Sequence, residues 1–172
     1  MRTTYLLKQL ISLVLPITVL VLVPMSLERN FTIGSIPAFA AGLLVMTAGL
    51  SVLVVTVYTF VTRGNGSLAP WFPTGKLVIT GLYRYVRNPM IIGVLLVLLG
   101  ESLAILSWKI LKWAMIFFLI NQAWFLLFEE PSLEKRFGDE YRHYKKMVPR
   151  WIPAFRQDPS EGKEDAKTGK KD

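Results

Sequence analysis

The stretch NFTIGSIPAFAAGLLVMTAGLSVLVVTVYTFVT, residues 30–62, contains no charged side chain over its 33 positions. A helix needs about 20 apolar residues to cross the hydrocarbon core of a bilayer, so this run is long enough for a tilted span. It also contains Ala38, Gly42 and Gly49, and small residues let membrane helices approach each other closely. The stretch therefore predicts a membrane protein built from packed helices.

Three further apolar runs accompany this one. Residues 9–27 and 113–128 contain no charge, and residues 88–108 contain Glu101 as their one charged residue. The mean hydropathy is +0.42 and 19% of the residues are charged, whereas soluble domains carry about 25% charged residues. We predict an all-α polytopic membrane protein with about four transmembrane helices, the last two forming a hairpin.

The positions of Lys and Arg predict the orientation of these spans. Four spans divide the flanking segments between two sides, and one side holds 17 Lys and Arg residues against 3 on the other. Cytoplasmic loops carry the excess of positive residues, so we predict both termini in the cytoplasm and a bacterial inner membrane. No small-residue cleavage pattern follows the first run, which is therefore predicted to be a retained anchor.

The 172 residues predict one domain, which we expect to cover residues 1–156. Beyond Pro131, apolar residues recur at helical spacing among basic ones, which predicts an amphipathic cytoplasmic segment suited to an anionic membrane surface. Within it, Gly138 is expected to end one helix and Asp139 to start the next. Residues 157–172 contain five acidic and four basic residues and are predicted to be disordered.

Composition argues against several kinds of chemistry. The chain has no cysteine, which removes disulfides, thiolate metal sites and cysteine nucleophiles. Its one histidine, His143, argues against a histidine-rich metal centre or a Ser-His-Asp site, and no metal is predicted. The net charge of +8 is explained by membrane orientation, so nucleic acid is not an expected partner.

Two polar segments flank the predicted hairpin. In the first, Arg87-Asn88-Pro89, an Asn amide precedes a helix start, where it can anchor the helix or hydrogen-bond a ligand. The second begins with Glu129 and Glu130 at the C-terminal end of the fourth run, where the helix dipole disfavours carboxylates. Paired carboxylates there either form an ion pair that closes the bundle or hold a bound cation or sugar hydroxyls.

Two neighbours bear on these alternatives. Arg84 and Arg87 lie on the same predicted side as the carboxylates and are the candidate ion-pair partners. Pro131 disfavours the α conformation at Glu130, so we expect the backbone to turn there.

Together the two segments follow the pattern G-x-Y-x-x-V-R-[HN]-P-x-x-x-G, then E-E-x-x-L-x-x-x-F-G-x-E-Y-x-x-Y, then V-P-R-x-I-P. The matching residues are Gly81, Tyr83, Val86, Arg87, Asn88, Pro89, Gly93, Glu129, Glu130, Leu133, Phe137, Gly138, Glu140, Tyr141, Tyr144, Val148, Pro149, Arg150, Ile152 and Pro153. This pattern resembles the isoprenylcysteine carboxyl methyltransferase and phospholipid N-methyltransferase group of integral membrane methyltransferases. The resemblance covers residues 75–153, the diagnostic core of the domain.

The resemblance implies methyl transfer from S-adenosylmethionine to a small or lipid-like acceptor at the cytoplasmic interface of the bilayer. It assigns cofactor binding to Lys76, Leu77, Val78, Tyr83, Asn88, Pro89, Met90, Ile91 and Glu130. Arg87 and Glu129 are the candidate catalytic residues. The expected partners are the lipid bilayer and a small or lipophilic methyl acceptor.

Two positions depart from the family pattern. Asn88 stands where the family usually has histidine, which keeps hydrogen bonding but loses a titratable ring. Leu126, four residues before Glu130, stands where prenylcysteine-methylating members carry a substrate-binding arginine. An apolar side chain cannot pair with a carboxylate, so we expect amines or thiols with apolar tails as better acceptors than a prenylcysteine.

Two alternatives accompany this expectation. One is an NADPH-linked membrane reductase with a similar C-terminal half. The other is a non-catalytic small membrane protein in which ion pairs only stabilise the bundle. The residues leave the acceptor atom and the oligomeric state open.

Overall fold

A computed structural model describes residues 14–29, 31–63 and 77–153, and this part of the chain is helical, without β-strands. The helices are α1 (Val14–Leu27), α2 (Ile36–Arg63), α3 (Pro89–Ala104), α4 (Trp108–Phe137) and α5 (Asp139–Met147), with a 3₁₀ turn at Gly81–Arg84 before α3. The all-α prediction is therefore confirmed. Lys76 and the predicted disordered tail, residues 157–172, lie outside the described residues.

Two of these helices are long and apolar enough to cross a bilayer, α2 over Ile36–Thr62 and α4 over its full length. The apolar window of each is only 11% buried, whereas a core helix of a soluble protein would be mostly buried. Leu44 on α2 is 71% exposed and Leu127 on α4 is 67% exposed. Helices with this much outward apolar surface fit a lipid environment. The helices α1 and α3 are also apolar but shorter.

Four glycines bring α2 and α3 into backbone contact. The two helices run antiparallel, with Gly42 opposite Gly100 and Gly49 opposite Gly93. A Cβ atom on Gly42 would lie 2.6 Å from the Gly100 carbonyl oxygen, and one on Gly49 would lie 2.9 Å from the Gly93 carbonyl oxygen. Larger residues would force the helices apart, and the predicted role of Gly42 and Gly49 in close packing is confirmed.

Two of the prolines inside helices, Pro24 and Pro131, each follow a π-helical turn at the same offset. The turn Thr18–Leu22 precedes Pro24, and the turn Phe125–Glu129 precedes Pro131. Proline lacks an N–H group and its ring clashes with the carbonyl four residues earlier. The wider π turn makes i→i+5 hydrogen bonds instead, and it lets the helix continue past the ring.

The expected turn of the backbone at Glu130 is therefore wrong. Glu130 has φ −61° and ψ −45°, which is α-helical, and α4 continues to Phe137. The predicted change of helix at Gly138 is confirmed, since Gly138 adopts φ +54° between α4 and α5.

The amphipathic C-terminal segment also differs from its prediction. Its apolar face does not lie free for an anionic membrane surface but packs onto the chain itself. Tyr141, Tyr144 and Val148 are buried in one cluster, with Leu77 and Ile79 packed against it. Because Leu77 and Ile79 precede α3, this packing brings the two polar motif segments together.

The far end of the bundle is joined by polar contacts. Ser107 caps α4 by accepting a hydrogen bond from the Ile110 amide, and its hydroxyl donates to the Glu28 carboxylate at 2.8 Å. Lys109 adds an ion pair to Glu28 at 3.4 Å. On the same side of the bundle, the Trp113 indole donates to the carbonyl of Val19, within the π turn of α1. These contacts hold α1 against α4.

The glycine contact predicts an asymmetric response to one added methyl group. Gly100→Ala should lower the free energy of unfolding by about 1–3 kcal/mol, because its Cβ would meet Met46 and the Gly42 backbone. Gly34→Ala is the matched control, since its Cβ would be 3.4 Å from a flexible Leu106 side chain. Thermal unfolding of the purified variants in detergent measures the difference. Equal midpoints for the two variants would contradict close packing at Gly100.

Candidate functional site

The segment between the 3₁₀ turn and α3 is held by contacts with the C-terminal part of the chain. The Tyr144 hydroxyl donates to the Tyr83 carbonyl at 2.7 Å. The Arg87 amide donates to the Pro149 carbonyl at 2.9 Å. Gly81, with φ +63°, passes close to Thr59 of α2, where a side chain would be strained. The motif residues before α3 and those after α4 therefore form one site.

Glu130 lies at the centre of this site and is 5% exposed. Its Oε1 atom accepts hydrogen bonds from Arg87 Nη1 at 2.8 Å and from Arg150 Nε and Nη2 at 2.9 and 2.6 Å. Its Oε2 atom is 3.1 Å from Lys145 Nζ. Both carboxylate oxygens are thus engaged by cations, and the ion-pair interpretation with Arg87 is confirmed.

Sequence reasoning missed two of these cations. Arg150 belongs to the V-P-R-x-I-P segment, so its fixed place in that pattern was an available signal. Lys145 carried no such signal, because it is one of several basic residues on an amphipathic helix. Its carboxylate partners, first Glu134 and then Glu130, raise the pKa of Lys145 and keep it protonated.

Glu129 has a different environment from its neighbour. No ion pair or hydrogen bond of its carboxylate occurs within residues 14–29, 31–63 and 77–153. Its electrostatic neighbours include Glu130 and Tyr83. Burial raises the pKa of the Tyr83 hydroxyl, and the Glu129 carboxylate raises it further. Tyr83 therefore stays protonated, and the Glu129 carboxylate close enough to affect it has no ion-pair partner among the described residues.

Asn88 is buried, with 8% exposure, and begins α3 without capping it through its side chain. Its Nδ2 atom has no hydrogen-bond partner among the described residues, and the same holds for the buried Nε atom of Arg87. A buried donor without an acceptor costs about 1–3 kcal/mol. Such a cost is typical of a site that awaits a ligand with acceptor atoms, and S-adenosylmethionine, with its carboxylate, ribose and adenine acceptors, fits this donor set.

The remaining candidate residues surround these groups. Pro89 is fully buried at the start of α3, and Met90 and Ile91 follow it, half-buried, in the first turn. Leu77 packs on the Tyr141 cluster, and Val78 beside it is half-buried. Lys76 lies outside the described residues.

Leu126 faces outward from the protein. It is 47% exposed, within an apolar strip that includes Leu127 and Phe128. Its side chain therefore adds apolar surface where a substrate-binding arginine would provide charge.

Comparison with known proteins identifies the class to which this fold and site belong. A family model described as phospholipid methyltransferase matches residues 37–140. The chain belongs to the phospholipid methyltransferase family, and its apolar helices agree with the membrane location of such a protein.

Comparison with individual proteins adds a short relative. An uncharacterized protein of Haemophilus influenzae is 44% identical over 54 residues, which cover 31% of this chain and 76% of that relative. No solved structure matches the chain.

The two adjacent glutamates should respond differently to loss of charge. Glu130→Gln should lower the free energy of unfolding by about 3–5 kcal/mol, because it leaves buried cations without their carboxylate. Glu129→Gln has the same shape change one residue away and should leave stability nearly unchanged. Chemical denaturation in detergent measures both. The assignment of Glu130 as the centre of the ion-pair network fails if the Glu129 variant is the less stable one.

Proposed function

We propose that this protein transfers a methyl group from S-adenosylmethionine to a small or lipid-like acceptor at the cytoplasmic face of a bacterial inner membrane. Membership of the phospholipid methyltransferase family supports methyl transfer in general. The observation that carries the cofactor assignment is the buried, unpartnered amide of Asn88 beside the fixed guanidinium of Arg87.

When bound, S-adenosylmethionine supplies a methyl group that its sulfonium already activates. The protein therefore has to align the acceptor with that methyl at about 3–3.5 Å and exclude water. In this proposal Asn88 and Arg87 donate hydrogen bonds to the cofactor, while Tyr83, Pro89, Met90, Ile91, Leu77, Val78 and Lys76 form the rest of its pocket. Glu130 takes part by holding the Arg87 side chain beside Asn88.

The catalytic role in this proposal falls to Glu129. When an amine or thiol acceptor forms its bond to the methyl carbon, the bond from that carbon to sulfur breaks and the acceptor must lose a proton. Glu129 is unpaired within the described residues and is adjacent to Tyr83, so its carboxylate takes up that proton. Arg87 contributes positive charge and orientation, not proton transfer, because its guanidinium stays charged.

Charge in the site also bears on the acceptor class. Arg87 and Arg150 are both bound to Glu130, so neither is free to neutralise the carboxylate of an acceptor. Leu126 offers an apolar surface instead. Glu129, unpaired within the described residues, favours an amine or thiol whose proton its carboxylate takes up. These three features support an acceptor with a nucleophilic amine or thiol head and an apolar tail.

The alternatives are less well supported. Family membership does not favour an NADPH-linked reductase. A non-catalytic bundle would gain stability by pairing or replacing the buried donors of Asn88 and Arg87, which are unpaired in the described part of the protein. Neither alternative explains why these donors are kept.

We also propose the topology that the charges predict: four spans in residues 1–156, a hairpin of α3 and α4, and both termini in the cytoplasm. The helix α3 has 16 residues, or about 24 Å, so it would cross a thinned part of the bilayer beside the longer helices. Residues 105–107 connect α3 to α4, where Trp108 and Lys109 are exposed. The 17-to-3 distribution of Lys and Arg supports this orientation.

Reporter fusions test this topology. A cytoplasm-active reporter fused after Asp172 should be active, and a reporter inserted at Ser107 should be active only if it works outside the cytoplasm. The reverse pattern at either position would rule out the four-span arrangement. A second fusion at Gly138 is expected to match the C-terminal one.

Ligand binding and turnover test the function itself. By calorimetry in detergent, the purified protein should bind S-adenosylhomocysteine and not NADPH. With labelled S-adenosylmethionine, amines or thiols with apolar tails should accept methyl groups better than farnesylcysteine analogues, and Glu129→Gln should slow turnover by about 10²-fold or more, the range for a general base. Binding of NADPH alone would exclude methyl transfer, and a preference for farnesylcysteine would refute the acceptor class.

A further inference from the structure

Thr56 is unusual among the threonines of the described helices. Thr18, Thr47, Thr59 and Thr62 each donate their hydroxyl to a carbonyl of their own helix at 2.7–2.9 Å. Thr56 is fully buried, at 0% exposure, yet its Oγ1 atom has no partner within the described residues. The usual way to satisfy a threonine hydroxyl inside a helix is thus not used at this position.

The packing of α2 against α3 locates this hydroxyl. A Cβ on Gly93 would lie 3.1 Å from the Leu53 amide nitrogen, and Gly81 lies against Thr59. Thr56 is halfway between Leu53 and Thr59 on α2. Because the helices run antiparallel, that level corresponds to the first turn of α3. Thr56 therefore lies at the depth of Asn88 and the buried Pro89.

The unpartnered groups at this level are all donors or can act as donors. They are the Thr56 hydroxyl, the Asn88 amide Nδ2 and the Arg87 Nε, all buried and without an acceptor among the described residues. The cations nearest to these groups, Arg87, Arg150 and Lys145, are all paired with Glu130. The three unpartnered donors are therefore complementary to a group with several oxygen acceptors.

We propose that Thr56 is a cofactor-binding residue, and that its hydroxyl and the Asn88 amide bind the carboxylate of the amino-acid end of S-adenosylmethionine. The inference rests on the proposed function and extends the pocket to α2, outside the motif segments. A carboxylate is favoured over a lipid phosphate because Thr56 is fully enclosed, whereas a lipid headgroup stays at the bilayer surface. The carboxylate provides an acceptor for each of the two donors.

Calorimetry with two probes tests this assignment on the full-length protein in detergent. The probes are S-adenosylhomocysteine and its decarboxylated analogue, which lacks the proposed anionic group. Thr56→Val, which keeps the shape and removes the hydroxyl, should weaken S-adenosylhomocysteine binding about tenfold, as expected for a hydrogen bond to a charged group. It should leave the affinity for the decarboxylated analogue unchanged. Thr56→Ser should retain most of the affinity for both.

Thr47→Val is the matched control, since the Thr47 hydroxyl is bonded to the Leu44 carbonyl of its own helix, and it should bind both probes as the wild type does. Thermal unfolding without ligand gives a second readout. Thr56→Val should melt at the same temperature or higher, because it removes a buried unsatisfied hydroxyl.

Each contrary result overturns a distinct statement. If wild-type protein binds S-adenosylhomocysteine and Thr56→Val binds it equally well, the role of Thr56 is refuted while the proposed function stands. If Thr56→Val loses the same affinity for both probes, the contact with the carboxylate is refuted. A lower melting temperature of this variant would show that the hydroxyl already has a hydrogen-bond partner without ligand. Failure of the wild type to bind S-adenosylhomocysteine would refute the proposed function together with this inference.

Discussion

The buried carboxylate of Glu130 is the interaction on which the site depends. It binds Arg87 from the segment before α3, Lys145 from α5 and Arg150 from the segment after α5. Arg87 lies 43 residues before Glu130 and Arg150 lies 20 residues after it, so one side chain fixes the relative positions of separate parts of the chain. A buried ion pair gives little net stability relative to apolar packing. Its value here is geometric, because it fixes the Arg87 guanidinium in the segment just before α3.

Placing Glu130 at that point requires an irregular helix. In a regular α-helix, Pro131 would clash with the carbonyl of Leu127 and remove a hydrogen bond. The π turn at Phe125–Glu129 accommodates this proline and lets α4 continue to Phe137. It also separates the environments of the two adjacent glutamates. Glu130 lies buried among cations, and Glu129 lies beside Tyr83. Two identical side chains can thereby have different roles, one in holding the site and one in chemistry.

The sequence alone predicted the structure correctly wherever a local pattern allows only one conformation. The long apolar runs predicted helices, the small residues Gly42 and Gly49 predicted close packing, and Gly138 predicted a break. It was insufficient where the outcome depended on contacts between distant segments. Pro131 alone predicted a turn of the backbone at Glu130, whereas the π turn lets the helix continue past it. The apolar face of α5 packed on Leu77 and Ile79 because these lay within reach, which periodicity alone cannot reveal. For the same reason Lys145 and Thr56 carried no sequence signal.

The site contains both unpartnered hydrogen-bond donors and an unpartnered carboxylate within the described residues. A bundle with only a structural role would not keep both. Near Asn88, donors outnumber acceptors, since Thr56, Asn88 and Arg87 each have a buried polar atom without a partner in the described residues. Near Tyr83 the acceptor is in excess, because the Glu129 carboxylate has no cation partner in the described part of the chain. Pairing these excesses with each other would have stabilised the fold, yet the Arg87 guanidinium is bound to Glu130. A ligand with an anionic end and a cationic or proton-releasing centre satisfies both demands. Methyl transfer from an amino-acid-bearing cofactor to an amine is a reaction that presents both.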